Sequence, residues 1–348
     1  MENFFKGSYK SFLLSFIIIF LGVTLMQFGI RVPNITKAMS FKPLETSKDK
    51  KAEEVFSKLK GKNESFVLND KNKSFYYGDA APTSFIVVDF DNGNILAEKN
   101  SSKPLPIASL TKVMTAVVAL DLSGPSETFK VTRNAARQVP TKLGVVAGEK
   151  MTLEELLYGA LLTSANDAVS VIKEGIDNKY QMPVFIDAMN EKAKFLNLKN
   201  SHFQNPQGFD SPKNYSTAED LAMLSHYALT YYPFIENAVK KDYVFLPASN
   251  NHKQFDLYNW NGLLGVYPDV KGVKIGNTTS AENTMIALSE RNGKRILVIL
   301  LGAPGTIERD LWTSRLLDFG FEQTLGLTPV AITNYDLQQK YSTWKYWN

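Results

Sequence analysis

The sequence predicts an α/β fold, in which both ends of the domain form a mostly antiparallel sheet and a helical subdomain is inserted between them. Three observations predict it. Strand-like apolar runs come first, in residues 84–100, and return late, in residues 272–303. Helical periodicity dominates between them, from about Thr128 to Tyr232. A cleft between the sheet and the insert is then the expected place for a binding site.

Composition excludes several classes of function. The chain has 348 residues, of which 44% are hydrophobic and 21% charged, as in an ordinary folded protein. Its net charge of +4 is mild and its lysines are spread out, so no nucleic-acid partner is expected. Without cysteine there is no thiol catalysis or Cys-ligated metal. The three histidines form no HExxH motif, which argues against a zinc site or a His-based triad, and no metal or cofactor is expected.

The N-terminal region predicts a membrane anchor. After a short tail, residues 1–11, the 19 residues Phe12–Ile30 carry no charge and suffice to span a bilayer as a helix. No convincing cleavage site follows, so an uncleaved anchor is favoured over a signal peptide. Residues 31–80 are polar and Lys-rich and predict a tether, with an exposed helix in Ser47–Lys60. Packing of this tether on the domain is the alternative.

The domain itself, residues 81–325, begins with a hairpin and ends with strands and a helix. Two β-rich runs flank Asp91-Asn92-Gly93-Asn94, a hairpin turn signal. Later strands are predicted in GVKIGNT, NTMIALSE and RILVILLGA, followed by the helix TIERDLWTSRLLDFGFEQT. Residues 326–348 are predicted to be a C-terminal tail.

Two helices of the insert carry sequence signals for their first residues. Thr152 and Glu155 make a capping box in front of an amphipathic run. Ser216 and Glu219 predict the same arrangement in STAEDLAMLSHYAL.

The stretch PLPIASLTKVMTAVVAL, residues 104–120, has the apolar pattern of a buried helix, yet it contains Ser109 and Lys112. These two residues lie about one turn apart on one helix face. Burial favours the uncharged amine of Lys112, which then accepts a proton from the neighbouring hydroxyl. The pair predicts a serine nucleophile with a lysine base. For an isolated SxxK motif, the alternative is an ordinary helix start with a lysine that reaches solvent.

Two further motifs follow in the chain. Ser164-Ala165-Asn166 is an SxN motif at a polar break, and Lys274-Ile275-Gly276 is a K-x-G motif on a predicted strand. The order SxxK, SxN, K-x-G resembles the signature of penicillin-binding proteins and serine β-lactamases. The connecting phrases, among them AGEKMTLEELLYGALLTSANDA and NSHFQNPQGFD, resemble the low-molecular-weight D-alanyl-D-alanine carboxypeptidases over about Ala81 to Thr324.

This resemblance implies the fold of penicillin-binding proteins and β-lactamases and a serine-type D-Ala-D-Ala carboxypeptidase. Its partners are then the peptidoglycan stem peptide and β-lactams, which inhibit covalently. The catalytic domain is expected outside the cell membrane, tethered by the N-terminal helix. The residues implied in catalysis are Ser109, Lys112, Ser164, Asn166 and Lys274, and those implied in substrate binding are Gly276, Asn277, Thr278 and Arg309.

Each of these residues has an implied role. Ser109 is acylated and Lys112 is its base. Ser164 relays a proton to the leaving amine, and Lys274 holds the Ser164 hydroxyl by charge. Asn166 hydrogen-bonds the donor peptide. The backbone N–H groups of Ser109 and Asn277 form the oxyanion hole, and Arg309 reads the terminal carboxylate.

The sequence departs from the family pattern in its third motif. Lys-Thr-Gly is usual, but the middle residue here is Ile275, and the usual Ala-Gly step after it reads Ala281-Glu282. Ile275 leaves open a weakly active or degenerate penicillin-binding relative, and the motifs do not separate a carboxypeptidase from a D,D-endopeptidase. A class A β-lactamase is disfavoured because its Glu-x-x-Leu-Asn motif is missing.

Overall fold

The computed structural model describes residues 47–59, 61, 66–70 and 82–344. They fall in two units of the chain, Met1–Lys50 and Lys51–Asn348. The first unit contributes only the start of one helix to the described residues. The predicted tail and membrane anchor, residues 1–30, lie outside the described residues. Within the described ranges, no helix is both long and apolar enough to cross a bilayer.

In the part of the chain that the structure describes, ten strands form one large sheet and two small ones. The large sheet has six strands in the order β1-β3-β2-β10-β9-β8, and all of its pairs are antiparallel except β1 with β3. It therefore combines early and late strands, as predicted. The strands are β1 (Asn69–Asp70), β2 (Ser84–Asp89), β3 (Asn94–Lys99), β4 (Thr128–Lys130), β5 (Lys150–Thr152), β6 (Tyr243–Leu246), β7 (Phe255–Tyr258), β8 (Val270–Thr278), β9 (Glu282–Arg291) and β10 (Lys294–Ala303).

The described residues also contain ten helices. A 3-10 turn, Ala108–Leu110, precedes the second helix. The helices are α1 (Ser47–Ser57), α2 (Thr111–Leu122), α3 (Arg133–Ala136), α4 (Leu153–Leu161), α5 (Asn166–Tyr180), α6 (Phe185–Phe195), α7 (Ala218–Tyr231), α8 (Pro233–Val239), α9 (Thr306–Leu325) and α10 (Asn334–Ser342).

The large sheet separates two hydrophobic cores, and this explains the continuous apolar run Ile296–Leu301 in β10. Leu297, Ile299 and Leu301 pack into the core shared with the helical subdomain. Ile296 and Val298 pack into the second core, with α9 and α10. A strand that is covered on both faces reads as a continuous apolar run because side chains alternate between the faces. The predicted α/β arrangement of an antiparallel sheet with a helical insert is confirmed.

One of the two predicted helix starts is confirmed and the other is shifted. Thr152 caps α4, and its capping box with Glu155 is formed. For α7 the predicted Ser216–Glu219 box is wrong. The side chain of Thr217 accepts the N–H of Asp220 instead, one residue later.

Part of the range predicted as a tether packs against the domain. Val55 and Leu59 are buried in the core, and the carbonyl of Leu59 accepts from the Nζ of Lys192 at 2.5 Å. Strand β1 pairs with β3 at the edge of the large sheet. The helix predicted in Ser47–Lys60 is present as α1, but it is not exposed on all sides because Val55 in its last turn reaches the core.

The range predicted as a C-terminal tail also folds onto the domain. Asp318 accepts the backbone N–H groups of Val330 and Ala331 at 2.8 and 3.1 Å, which turns the chain back after α9. Helix α10 follows, capped by Thr333, and its Leu337 is fully buried in the second core.

Candidate active site

A cleft of about 670 Å³ lies where β8 meets the helical subdomain, as expected. Of the nine residues predicted for the site, seven line it, and Lys112 and Lys274 lie behind it in contact with the lining. The lining residues are Ser109, Pro140, Thr141, Lys142, Ser164, Asn166, Gln207, Gly208, Phe209, Trp260, Ile275, Gly276, Asn277, Thr278, Asn283, Thr306 and Arg309.

The backbone around Ser109 is strained and closely packed. Ser109 lies in the 3-10 turn before α2, and Ala108 before it has a φ of 47°, in the left-handed region that favours glycine. Two glycines allow other segments to approach it. A Cβ on Gly276 would lie 2.8 Å from the Ser109 nitrogen, and one on Gly208 would lie 1.9 Å from the Ala108 oxygen. The glycine of the K-x-G motif is therefore required for β8 to reach the serine.

Lys112 is fully buried and its amine has three neighbours. Its Nζ lies 2.7 Å from the Oγ of Ser109, 3.0 Å from the Oδ1 of Asn166 and 2.8 Å from the carbonyl of Gln207. The last two atoms can only accept hydrogen bonds. A neutral amine has two N–H donors and one lone pair, so two donors serve these acceptors and the lone pair remains for the Ser109 hydroxyl. The geometry fits a lysine that accepts the serine proton.

Electrostatics favour the same protonation state. Burial, followed by the charge of Lys274, holds the pKa of Lys112 well below its ordinary value. Burial penalises the ammonium ion, and none of the three described groups that contact its Nζ is a carboxylate that would compensate the charge. Lys112 is thus suited to act as a base rather than as an ion-pair partner.

The SxN motif occupies the connection between α4 and α5. Ser164 has a φ of 59°, and its carbonyl accepts from the hydroxyl of Thr141 at 2.8 Å. The Nδ2 of Asn166 donates to the carbonyl of Val139 at 3.1 Å, while its Oδ1 faces Lys112. The carboxylate of Asp167 accepts three backbone N–H groups of the loop beside the cleft, those of Leu143, Gly144 and Val145. These contacts fix the motif against that loop.

One contact of Lys274 differs from the contact that its expected role requires. Its Nζ donates to the carbonyl of Ile275 at 3.0 Å, and the hydrogen bond expected with Ser164 is not formed. Burial, followed by the charge of Arg309, lowers the pKa of Lys274 to about 7. The charge of Arg309 disfavours a second ammonium ion nearby, and the backbone carbonyl of Ile275 partly compensates the charge of Lys274.

The remaining residues of β8 face the cleft without a free hydroxyl. Ile275 lines it with an apolar side chain that also packs in the second core. Asn277 donates to the Oδ1 of Asn283 at 3.0 Å. The Thr278 hydroxyl donates to the Oδ1 of Asp210 at 2.6 Å, which occupies its proton.

Arg309 lies on α9 at the far end of the cleft and is only 1% exposed. Its Nε pairs with the Oδ1 of Asp310 at 2.6 Å. Its Nη2 is buried and has no hydrogen-bond partner among the described residues. Burial lowers the pKa of Arg309, but Asp310 and then Tyr341 outweigh it, so the pKa is raised and the group stays charged. An unpaired, buried guanidinium donor in a cleft is suited to bind an anion.

Several cleft residues were not predicted from the sequence. Gln207 contributes only a backbone carbonyl, so no side-chain motif points to it, although its NPQG phrase was among those that resembled the family. Trp260 lies in a turn-rich stretch, and Asn283 and Thr306 are ordinary polar residues of a strand and a helix start. No local pattern marks them, because the sheet order brings them to the cleft.

Comparison with known proteins gives a consistent result. A family model described as D-alanyl-D-alanine carboxypeptidase matches residues 41–305. The D-alanyl-D-alanine carboxypeptidase DacF of Bacillus subtilis is 32% identical over 246 residues, which cover 69% of this chain and 62% of that protein. The D-alanyl-D-alanine carboxypeptidase DacB2 of Mycobacterium tuberculosis is 30% identical over 251 residues, which cover 70% of this chain and 83% of that protein. The chain thus spans less than two thirds of the Bacillus relative.

Among solved structures, the DD-transpeptidase of Streptomyces K15 superposes with a TM-score of 0.66 at 25% identity. The match covers 71% of this chain and 99% of that structure. The D-alanyl-D-alanine carboxypeptidase DacD of Francisella tularensis matches with a TM-score of 0.63 at 23% identity, over 72% of this chain and 73% of that one. The second likeness concerns the fold alone.

Proposed function

The chain belongs to the D-alanyl-D-alanine carboxypeptidase family of serine peptidases, peptidase family S11, and from this membership we propose that it removes the terminal D-alanine of peptidoglycan stem pentapeptides. The observation that carries the proposal is the pair Ser109–Lys112. A hydroxyl lies 2.7 Å from a buried amine whose pKa is held well below its ordinary value. That is the geometry of an activated nucleophile.

In the acylation step, the Ser109 Oγ attacks the carbonyl carbon of the penultimate D-alanine while Lys112 takes the hydroxyl proton. The negative oxygen of the tetrahedral intermediate is stabilised by the backbone N–H groups of Ser109 and Asn277. The C–N bond then breaks, and the leaving amine receives a proton through Ser164. Free D-alanine departs, and the rest of the stem remains as an ester on Ser109.

In the second step, water attacks this ester and Lys112 accepts a proton from it, so that the shortened stem is released and the Ser109 hydroxyl is restored. Until D-alanine departs at the end of the acylation step, Arg309 binds its α-carboxylate with the unpaired Nη2. β-Lactams present a carboxylate in the same place and acylate Ser109 covalently.

The test is to incubate the protein with a pentapeptide stem and, separately, with a cross-linked stem dimer. We expect D-alanine release from the pentapeptide and slower cleavage of the dimer, with Ser109→Ala inactive on both. Preferential cleavage of the dimer would assign a D,D-endopeptidase instead. No turnover of either substrate by a folded protein would indicate a degenerate relative that only binds stems.

For location, we propose that Phe12–Ile30 anchors the protein in the cell membrane, with the catalytic domain on the extracytoplasmic side, where peptidoglycan lies. The uncharged length of this stretch supports the proposal. Extraction from membranes is expected to need detergent, and removal of residues 1–31 is expected to give a soluble, active enzyme. A mature N-terminus near Ala38 in protein isolated from cells would show that the stretch is a cleaved signal.

A further inference from the structure

Asp310, the partner of Arg309, is fully buried and contacted at both carboxylate oxygens. Its Oδ1 accepts from the Nε of Arg309, and its Oδ2 accepts from the hydroxyl of Tyr341 at 2.6 Å. The backbone of Gly262 closes the remaining side, since a Cβ there would lie 2.1 Å from Oδ2. The carboxylate is therefore held in one orientation.

Tyr341 belongs to helix α10, in the stretch whose sequence predicted only a tail. Leu337 fixes this helix in the second core, and the Trp344 ring stacks on Tyr341 at 4.8 Å between centroids. Lys340 pairs with Asp242 at 2.7 Å. These contacts hold α10 against the domain, and the Tyr341 hydroxyl therefore has a defined position.

We propose that Tyr341 is a positioning residue for recognition of the substrate carboxylate, acting through Asp310 on Arg309. Arginine and a carboxylate commonly pair through two parallel hydrogen bonds. Here only the Nε of Arg309 is paired with Asp310, and Nη2 is left without a partner. The Tyr341 hydroxyl occupies Oδ2, the oxygen that would otherwise accept from Nη2. By holding Asp310 so that it accepts one hydrogen bond from Arg309 rather than two, Tyr341 leaves the Nη2 of this cleft-lining arginine unpaired.

This inference rests on the proposed function, because it needs a substrate that ends in a carboxylate. Without the Tyr341 hydroxyl, Asp310 is free to turn Oδ2 toward Nη2. Arg309 would then be neutralised within the protein and would bind the substrate carboxylate less well. The chemistry at Ser109 would be unaffected because none of its hydrogen bonds involves α10.

The experiment compares two substrates with Tyr341→Phe in the full chain. One is diacetylated L-lysyl-D-alanyl-D-alanine with a free carboxylate, and the other is the same peptide as its C-terminal amide. We expect kcat/KM for the carboxylate peptide to fall about five- to thirtyfold, the range that follows from losing part of a charge-assisted hydrogen bond. For the amide we expect a change of less than about twofold, so the ratio between the two substrates falls.

Tyr335→Phe is the matched control, since Tyr335 lies on the same helix and is 67% exposed. It is expected to leave both substrates and the thermal midpoint unchanged. A Tyr341→Phe variant with an unchanged carboxylate-to-amide ratio would overturn the inference. So would an equal loss on both substrates with a lowered midpoint, because a merely structural role gives that pattern.

Asp310→Asn provides a second route if Tyr341→Phe does not accumulate as folded protein. It keeps the side-chain volume but removes the charge that would otherwise neutralise Arg309, so it is expected to raise the same ratio; an unchanged or lowered ratio in this variant would also overturn the inference. The proposed function fails in a different way. In that case the wild type itself would release no D-alanine from the free peptide, whatever the variants do.

Discussion

The two sides of the cleft are built differently. On the nucleophile side, formed by Ser109, Lys112, Asn166 and Gln207, every polar group around the amine is paired within the protein. On the carboxylate side, formed by Lys274, Ile275 and Arg309, an apolar side chain replaces the usual hydroxyl and a guanidinium donor has no partner. The comparison indicates that the polar groups around the Lys112 amine are paired before substrate binds, whereas the other side holds an unpaired guanidinium donor among the described residues.

The largest loss of activity should come from a substitution on the nucleophile side of the cleft. Lys112→Arg is expected to lower kcat about a hundred- to ten-thousandfold, because guanidinium keeps its proton at working pH and general-base catalysis is lost. D-Alanine release and penicillin labelling measure it. Lys173→Arg, on the surface of α5, is the matched control and should retain wild-type activity. An active Lys112→Arg enzyme would mean that another group takes the serine proton.

A smaller effect is expected from the carboxylate side. Arg309→Gln should lower kcat/KM for a stem pentapeptide about ten- to hundredfold, because it removes a charge-assisted hydrogen bond to the terminal carboxylate. Acylation by penicillin should fall with it. Arg315→Gln, exposed on the same helix, should behave as the wild type. Equal activity in Arg309→Gln would show that the carboxylate is bound elsewhere.

The dependence of kcat/KM on pH distinguishes the two sides of the cleft in the wild-type protein, because a different lysine governs each limb. Lys112 must be neutral to act as a base, so kcat/KM should rise with pH through its depressed pKa. We expect Lys274 to act on Ser164 as the charged ammonium ion once substrate is bound, and its pKa is lowered to about 7, so activity should fall above that pH. Each limb changes about tenfold per pH unit.

Lys274→Arg tests the assignment of the falling limb. An arginine stays charged, so the variant should keep the rising limb and lose the fall above about pH 7. A wild-type profile that continues to rise into the alkaline range would remove the charge of Lys274 from the mechanism.

The smallest predicted effect is a gain of activity on the carboxylate side rather than a loss. Ile275→Thr adds the hydroxyl that the family motif usually has, at a side chain that lines the cleft. Penicillin acylation should become at least severalfold faster, because one hydrogen bond to a charged group contributes about 1.5–3 kcal/mol. Ile275→Val, which keeps the branched shape without a hydroxyl, should leave the rate unchanged. If the threonine variant acylates no faster, position 275 does not contact the carboxylate.

The sequence predicted the contacts of the nucleophile side better than those of the carboxylate side, and the reason is the distance along the chain between the residues in contact. Ser109 and Lys112 lie one helical turn apart, so their spacing alone determines that they meet. The strands around Ile275 and the hairpin at Asp91–Asn94 were likewise readable from local patterns. In contrast, Asp310 and Tyr341 are 31 residues apart. Their contact depends on how α10 folds back, and no periodicity in a polar C-terminal stretch predicts that.

The contact of Lys274 was also beyond local patterns. Its position on β8 follows from the alternation of the strand, but its protonation and its acceptor depend on burial and on Arg309, which comes from α9. The sequence separation between these groups is large, and their repulsion is visible only once the sheet is assembled.

Covalent catalysis at Ser109 is most directly tested by mass spectrometry of the protein after incubation with benzylpenicillin, followed by peptide mapping. The predicted result is a single added penicilloyl group, located on Ser109 and missing in Ser109→Ala, whose thermal stability should match that of the wild type. An adduct on another residue, or a folded wild-type protein that acquires none, would contradict the assignment.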